Sequence, residues 1–171
     1  VRGAVMRAAQ LEPVRTIELP VQKAALVLGG GAAGMNVALT LAEQGFPVHL
    51  VERAAQLGGG LRKRQDARGK KPEVEDATSD TQAYLQRLVE QVKAHPLIHV
   101  HLETKLIETG GFQGNFESKL RKDGSITEIT HGAVIVATGS QEYRGPEYGL
   151  GSDPRIVTQM DFEALLARGQ G

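Results

Sequence analysis

A chain of 171 residues is long enough to bury one core and too short to hold two full-sized nucleotide-binding domains. Its 20 basic and 20 acidic side chains cancel, so no overall field draws it to nucleic acid or an anionic membrane; a small ligand or a protein partner is the expected one. With no cysteine, it can form no disulfide, hold no iron–sulfur cluster through thiolates and offer no thiol nucleophile, which leaves redox chemistry to a bound organic group.

The sequence contains no apolar run long enough for a membrane span and no secretory leader, so the expected compartment is the cytoplasm. It opens on Val1 rather than Met, as a piece cut from a longer chain would. Val5, Met6, Ala9 and Leu11 share one side of a short helix over residues 2 to 11, which Pro13 should stop. After a connector ending at Pro20, Ala24 to Leu28 is continuously apolar, the pattern of a buried parallel strand. A glycine turn, Gly29-Gly30-Gly31-Ala32-Ala33-Gly34, follows at once.

From Met35 to Gln44, Val37, Ala38, Leu41 and Ala42 fall at helical spacing, and Gly45 stands where a helix end favours positive φ. Val48 to Glu52 is the next strand, with its acid last, completing a strand–turn–helix–strand unit. Residues 62 to 80, polar and mixed in charge, predict a long mobile loop. Asp80 can cap a helix to about Ala94 whose apolar face is Tyr84, Leu85, Leu88, Val89 and Val92. Strands are expected near 97–102, 115–121 and 125–130, the last two joined by Asp123-Gly124, as an antiparallel layer added to a parallel sheet. Ala133 to Ala137 is another apolar strand, running into Thr138-Gly139-Ser140. A Gly/Pro/Tyr-rich loop spans 141–154; Thr158 with Asp161 has the form of a capping box for a helix through Ala167, closed by Gly169.

The glycine turn carries the chemistry. Backbone N–H groups at a helix N-terminus, aided by the helix dipole, can hold a pyrophosphate, and glycines let it approach. Gly29 would allow the tight turn, Gly31 the close passage of phosphate and Gly34 the packing of helix on strand. Glycine spacing alone is weak evidence. Here an apolar strand precedes it, a helix follows, and Glu52 ends the next strand 23 positions after Gly29, where a carboxylate can accept from ribose hydroxyls. No Gly-Lys-Ser/Thr follows Gly34, which disfavours a triphosphate loop. A Glu52→Ala change is expected to weaken dinucleotide binding and leave the fold intact.

Leu26 to Met35, Leu50-Val51-Glu52-Arg53 with Leu57-Gly58-Gly59, and Val134 to Gly139 together resemble the FAD-binding half of flavoproteins with two dinucleotide folds. More narrowly, Ala137 to Tyr143, Asp153 to Gln159, Leu11-Glu12-Pro13 and Gly114-Asn115-Phe116 make the chain similar to the family of heterodisulfide reductase A subunits. The resemblance implies an α/β, Rossmann-like FAD/NAD(P)-binding domain: a parallel sheet flanked by helices, with a small antiparallel layer. It implies FAD with its pyrophosphate on Gly29, Gly31, Ala32, Ala33 and Gly34, its adenosine ribose on Glu52, and Arg53 and the backbone at Leu106 near adenine. Gly58 and Gly59 would line the diphosphate and ribityl path, and Ala137, Thr138 and Gly139 would close the site. It also implies a flavin-dependent oxidoreductase with iron–sulfur subunits or domains as partners. The chain departs from that family in lacking its cysteine motifs, so clusters are expected only outside this chain. No strand with a Gly-Asp motif follows Gly139 to hold the far end of FAD, so the site is expected to be incomplete.

Residues 1–171 are thus expected to form one dinucleotide-binding domain, with a leader helix and connector over 1–22, a core over 23–140 and a loop and terminal helix over 141–171. No catalytic acid, base or nucleophile is assigned. His99 and His101 alternate on one strand and face one side, but two imidazoles without a third ligand are a poor zinc site, and polar strand residues are the favoured reading. His49, His95 and His131 are single. The basic stretch of Arg62, Lys63, Arg64, Arg68, Lys70 and Lys71 reads as a solvated loop. Two rival readings are an NAD-binding domain of a dehydrogenase, in which Glu52 would repel the extra phosphate of NADP, and a non-catalytic module of a larger redox complex.

Overall fold

The computed structural model describes residues 2–11, 18–62 and 81–167. Four parallel strands form one sheet: β1 (Ala25–Leu28), β2 (Val48–Val51), β3 (Ile98–His101) and β7 (Ala133–Val136), in the order β3-β2-β1-β7. Between β3 and β7 the chain builds a second, antiparallel sheet of β4 (Lys105–Phe112), β5 (Asn115–Lys122) and β6 (Ser125–His131).

The faces of the parallel sheet are set by alternation along each strand. Val27, Val48, Leu50 and Ile98 pack with Met35, Ala38 and Ala42 of α2 (Ala32–Glu43) and with Leu85, Leu88 and Val92 of α3 (Thr81–Ala94). Leu26 and Val51, on the opposite face, pack against Leu120 of β5 and Ile129 of β6. The expected fold class is therefore observed, with both core helices on one face and the antiparallel sheet on the other. Gly45 follows α2 at φ +87, and its N–H donates to Ala42.

The structure corrects two expectations. The strand near 97–102 is not part of the antiparallel layer: β3 runs parallel to β2, pairing His49 with His99 and Val51 with His101. Its Ile-His-Val-His alternation reads as half-buried because Ile98 packs into the core with α2 and α3 while His99, on the other face of the strand, is exposed. The true third strand of the antiparallel layer, β4, was not anticipated. Its Gly110-Gly111 and a register irregularity between Leu106 and Glu108 interrupt the period-two pattern.

The Asp123-Gly124 turn is as expected, with φ +46 and +84 at its two central residues. Buried His131 is fixed between layers: Ser118 Oγ lies 2.7 Å from its Nε2, and its Nδ1 lies 3.1 Å from the Ala133 carbonyl. Helix α1 (Arg2–Ala9) forms where expected, but none of its residues is buried, so its apolar side meets no core. In α4 (Gln159–Ala167) the Asp161 N–H donates to Thr158 Oγ1 at 3.2 Å, half of the anticipated capping box. The Asp161 carboxylate accepts from Nη1 and Nη2 of Arg144, at 3.0 and 2.9 Å. The expectations for Pro13, for the loop and basic run over 63–80, for the Asp80 cap and for Gly169 lie outside the described residues.

Candidate functional site

The parallel order places β1 between β2 and β7, so the connection from β1 to β2 and the one from β3 to β7 run to opposite sides of β1. Such a point of reversal opens a crevice that helices do not fill. A cleft of about 650 Å³ lies there, lined by Leu28 and Gly29 at the end of β1, Val51 to Arg53 at the end of β2, Thr104 to Leu106, and Thr138 to Gln141 after β7. That volume falls in the range of small-molecule sites.

Around the cleft, glycine is required by contact rather than by flexibility. Gly29 sits at φ +109, and a Cβ there would overlap the Ala137 carbonyl. A Cβ on Gly34 would overlap the Gly29 carbonyl, so helix and turn can meet this closely only with residue 34 bare. Gly31 is different: its φ is −77, and a Cβ would meet nothing within 4 Å. It borders open space at the start of α2, where no side chain caps the helix and the first N–H groups have no intrahelical partner. Anion density placed there would meet unspent donors and the positive end of the helix dipole.

Glu52 follows directly on β2 and is almost fully buried, at 9% exposure. Its Oε2 accepts from the Gly30 N–H at 2.7 Å and its Oε1 from the Ala54 N–H at 2.8 Å. Each oxygen keeps a further lone pair for a hydroxyl in the cleft. The backbone of the same residue ties β3 to the rim, its N–H donating to His101 and its carbonyl accepting from Thr104. Glu52 thus braces the glycine turn as well as lining the cleft, a role that its position in the sequence does not reveal.

Of the anticipated residues, Gly29, Glu52, Arg53, Leu106, Thr138 and Gly139 line the cleft together. Gly31, Ala32 and Ala33 form the adjoining helix start, while Gly34 is buried behind it and Ala137 lies under Gly29. Gly58 and Gly59 meet the turn from outside the cleft: Gly58 bridges to Gly31, and its N–H donates to Gly30 at 2.7 Å. Sequence reasoning missed Leu28, Val51, Thr104, Lys105, Ser140 and Gln141. Leu28 and Val51 directly precede Gly29 and Glu52, and Ser140 and Gln141 directly follow Thr138-Gly139, so these four could have been read with them; Thr104 and Lys105, at the start of β4, were hidden with that strand.

A second polar cluster lies apart from the cleft. His101 stands 3.1 Å from His49, nitrogen to nitrogen, while His99 is exposed and stacks on His49. Burial, then the neighbouring charges of His101, His99 and His131, lowers the His49 pKa to about 4, and burial with His99 lowers that of His101.

A parallel sheet with a strand–glycine turn–helix start, a strand-end carboxylate and an antiparallel layer inserted before the fourth strand defines a Rossmann-like FAD/NAD(P)-binding domain of the oxidoreductase kind. The chain belongs to the pyridine nucleotide-disulphide oxidoreductase family, whose model matches residues 23–163.

Among its relatives is the first of two CoB--CoM heterodisulfide reductase iron-sulfur A subunits of Methanopyrus kandleri, 38% identical over 122 residues that make up 71% of this chain and 17% of the relative. Another is the A subunit of the ferredoxin:CoB-CoM heterodisulfide reductase of Methanosarcina acetivorans, 33% identical over 121 residues, 71% of this chain and 15% of the relative. The chain therefore spans about a sixth of the curated relatives it matches. Among solved structures, L-proline dehydrogenase from P. horikoshii superposes with a TM-score of 0.54 at 26% identity, over 71% of this chain and 23% of that one. The resemblance to the heterodisulfide reductase A subunits is thus found by direct comparison. Among the described residues no helix is long and apolar enough to cross a membrane.

Proposed function

We propose that this chain is the FAD-binding segment of a heterodisulfide-reductase-like flavoprotein of the cytoplasm, one that passes electrons between flavin and iron–sulfur partners. The observation that carries this reading is the junction of Gly31 and Glu52 at one cleft: open space over an uncapped helix start beside a buried carboxylate with lone pairs to spare. That pairing suits a ligand with a pyrophosphate joined to a ribose.

The residues fit the group. The turn from Gly29 to Gly34 would hold the pyrophosphate through backbone N–H groups, and Glu52 would accept from the adenosine ribose hydroxyls. Arg53 and the backbone at Leu106 would border adenine, Gly58 and Gly59 the diphosphate and ribityl path, and Ala137, Thr138 and Gly139 would close the rim. FAD, when bound, supplies the capacity to take up and release electrons; the protein binds, orients and tunes it. Iron–sulfur partners are supported by the names of relatives such as the iron-sulfur A subunit of Methanopyrus kandleri, and would lie outside this cysteine-free chain.

The test is an absorbance spectrum of the purified chain from 300 to 550 nm, before and after FAD is added and the protein desalted. Retained flavin bands are expected. A colourless protein that releases added FAD overturns the assignment, and a melting temperature raised by NAD alone would then identify the NAD-binding alternative.

A further inference from the structure

The parallel pairing of β2 with β3 sets His49 opposite His99 and two residues short of Val51, the partner of His101. Side-chain alternation turns all three rings to the face away from α2 and α3. There His49 Nδ1 and His101 Nε2 stand 3.1 Å apart, and His49 lies 5.3 Å, centroid to centroid, from each of the other two rings. None of the three lines the dinucleotide cleft.

We propose that His49 and His101 form a two-imidazole binding site for a divalent transition metal, with Cu(II) bound most strongly and water completing the coordination. Two imidazoles held side by side on one metal ion at nitrogen distances of roughly 2.0–2.1 Å have their nitrogens about 3 Å apart. The strands already hold them at that separation, so binding requires rotation of rings and no movement of backbone. In the metal-free pair one ring donates its N–H to the lone pair of the other. To ligate, the donating ring carries its proton on its other nitrogen instead, exchanged through water. Both rings remain neutral, two lone pairs turn to the ion, and no net proton is released.

His99 stacks on His49, and the remaining two histidines are engaged elsewhere. Both ring nitrogens of His131 have partners in Ser118 and Ala133, and His95 Nδ1 accepts from the Leu97 N–H at 3.3 Å. Among the described residues no group of three or more His, Asp or Glu side chains has metal-site geometry, which is why water, not a third side chain, fills the remaining positions. Imidazole pairs with open positions suit Cu(II) and Ni(II), and Cu(II) leads the affinity order of divalent first-row ions.

The experiment titrates tag-free, chelator-treated protein with copper sulfate. One equivalent should bind, its electron paramagnetic resonance spectrum should show coupling to two imidazole nitrogens, and His49→Gln and His101→Gln should each weaken binding by about tenfold or more, whereas His95→Gln should not. The imidazole nitrogen NMR spectrum of the unaltered protein provides a readout independent of how the variants fold. Substoichiometric Cu(II) should broaden His49 and His101 first. No stoichiometric binding, coupling to fewer than two imidazole nitrogens, broadening that begins at another residue, or affinity retained in both folded variants would overturn the site.

Discussion

Gly34 packs so closely on Gly29 that a methyl group on the first would overlap the carbonyl oxygen of the second. The start of α2 is thereby pressed onto the end of β1, and the position of the helix N-terminus in the cleft follows from that contact. Gly34→Ala should therefore lower stability by about 1–3 kcal/mol or more, because only backbone could move to relieve the overlap. Gly31→Ala should leave urea unfolding within about 0.5 kcal/mol of the parent, since the new methyl meets nothing. Dinucleotide affinity should respond in Gly31→Ala, where the methyl would occupy the space proposed for pyrophosphate. Equal loss of stability in both variants would refute this division of roles.

Glu52 should matter to the fold as well as to the ligand, in contrast to the expectation drawn from sequence. Glu52→Ala strips the buried Gly30 N–H and the part-buried Ala54 N–H of their acceptor, and an unsatisfied buried donor such as that of Gly30 costs about 1–3 kcal/mol. Glu52→Gln keeps one acceptor oxygen but sets an NH2 group against a backbone donor, so it too should be destabilised. Thermal melts without ligand would show this directly; an unchanged melting temperature in Glu52→Ala would mean that the brace is dispensable.

His131 gives the stability a pH dependence of defined sign. Burial lowers its pKa below the ordinary 6.5, opposed in part by its bond to the Ala133 carbonyl. The unfolded chain thus binds a proton at this residue more readily than the folded one, and His131 should take stability away as pH falls below about 6.5, with no such loss above it. Replacing His131 by Gln should flatten the urea midpoint between pH 7 and 5 relative to the parent. A parallel shift at every pH would exclude the titration.

Much of this was legible in the sequence because the informative features are local. An apolar strand, three glycines and a helical repeat are read within about twenty residues, and Glu52 is placed by the end of the next apolar run. What was not legible depends on partners distant in the chain. Nothing near His99 shows that its strand lies parallel to β2 rather than in the antiparallel layer. The second role of Glu52 depends on the Gly30 N–H, 22 residues away, and the pairing of His49 with His101 spans 52. Strand β4 was missed because its paired glycines weaken a pattern that cross-strand bonds to β5 sustain.

The segment after β7 should open without unfolding the rest. Arg144 links it to α4 through Glu142 and Asp161, yet the Arg144 side chain is 54% exposed, and exposed ion pairs contribute little, typically about 0–1 kcal/mol. Phe162 and Met160 of α4 are also partly exposed, and Tyr148 is almost wholly so, leaving little apolar burial to hold the segment. Its amides should therefore exchange with solvent through local openings, at free energies below that of β1 and β2, whose side chains lie in the core. Thr158→Ala removes the acceptor for the Asp161 N–H and should speed exchange in the first turn of α4 by about fivefold, the effect of losing a helix cap worth about 1 kcal/mol. The core strands should exchange as before. If β1 and β2 lost protection in step with α4, the segment would be part of the cooperative core and its hold on β7 stronger than its contacts imply.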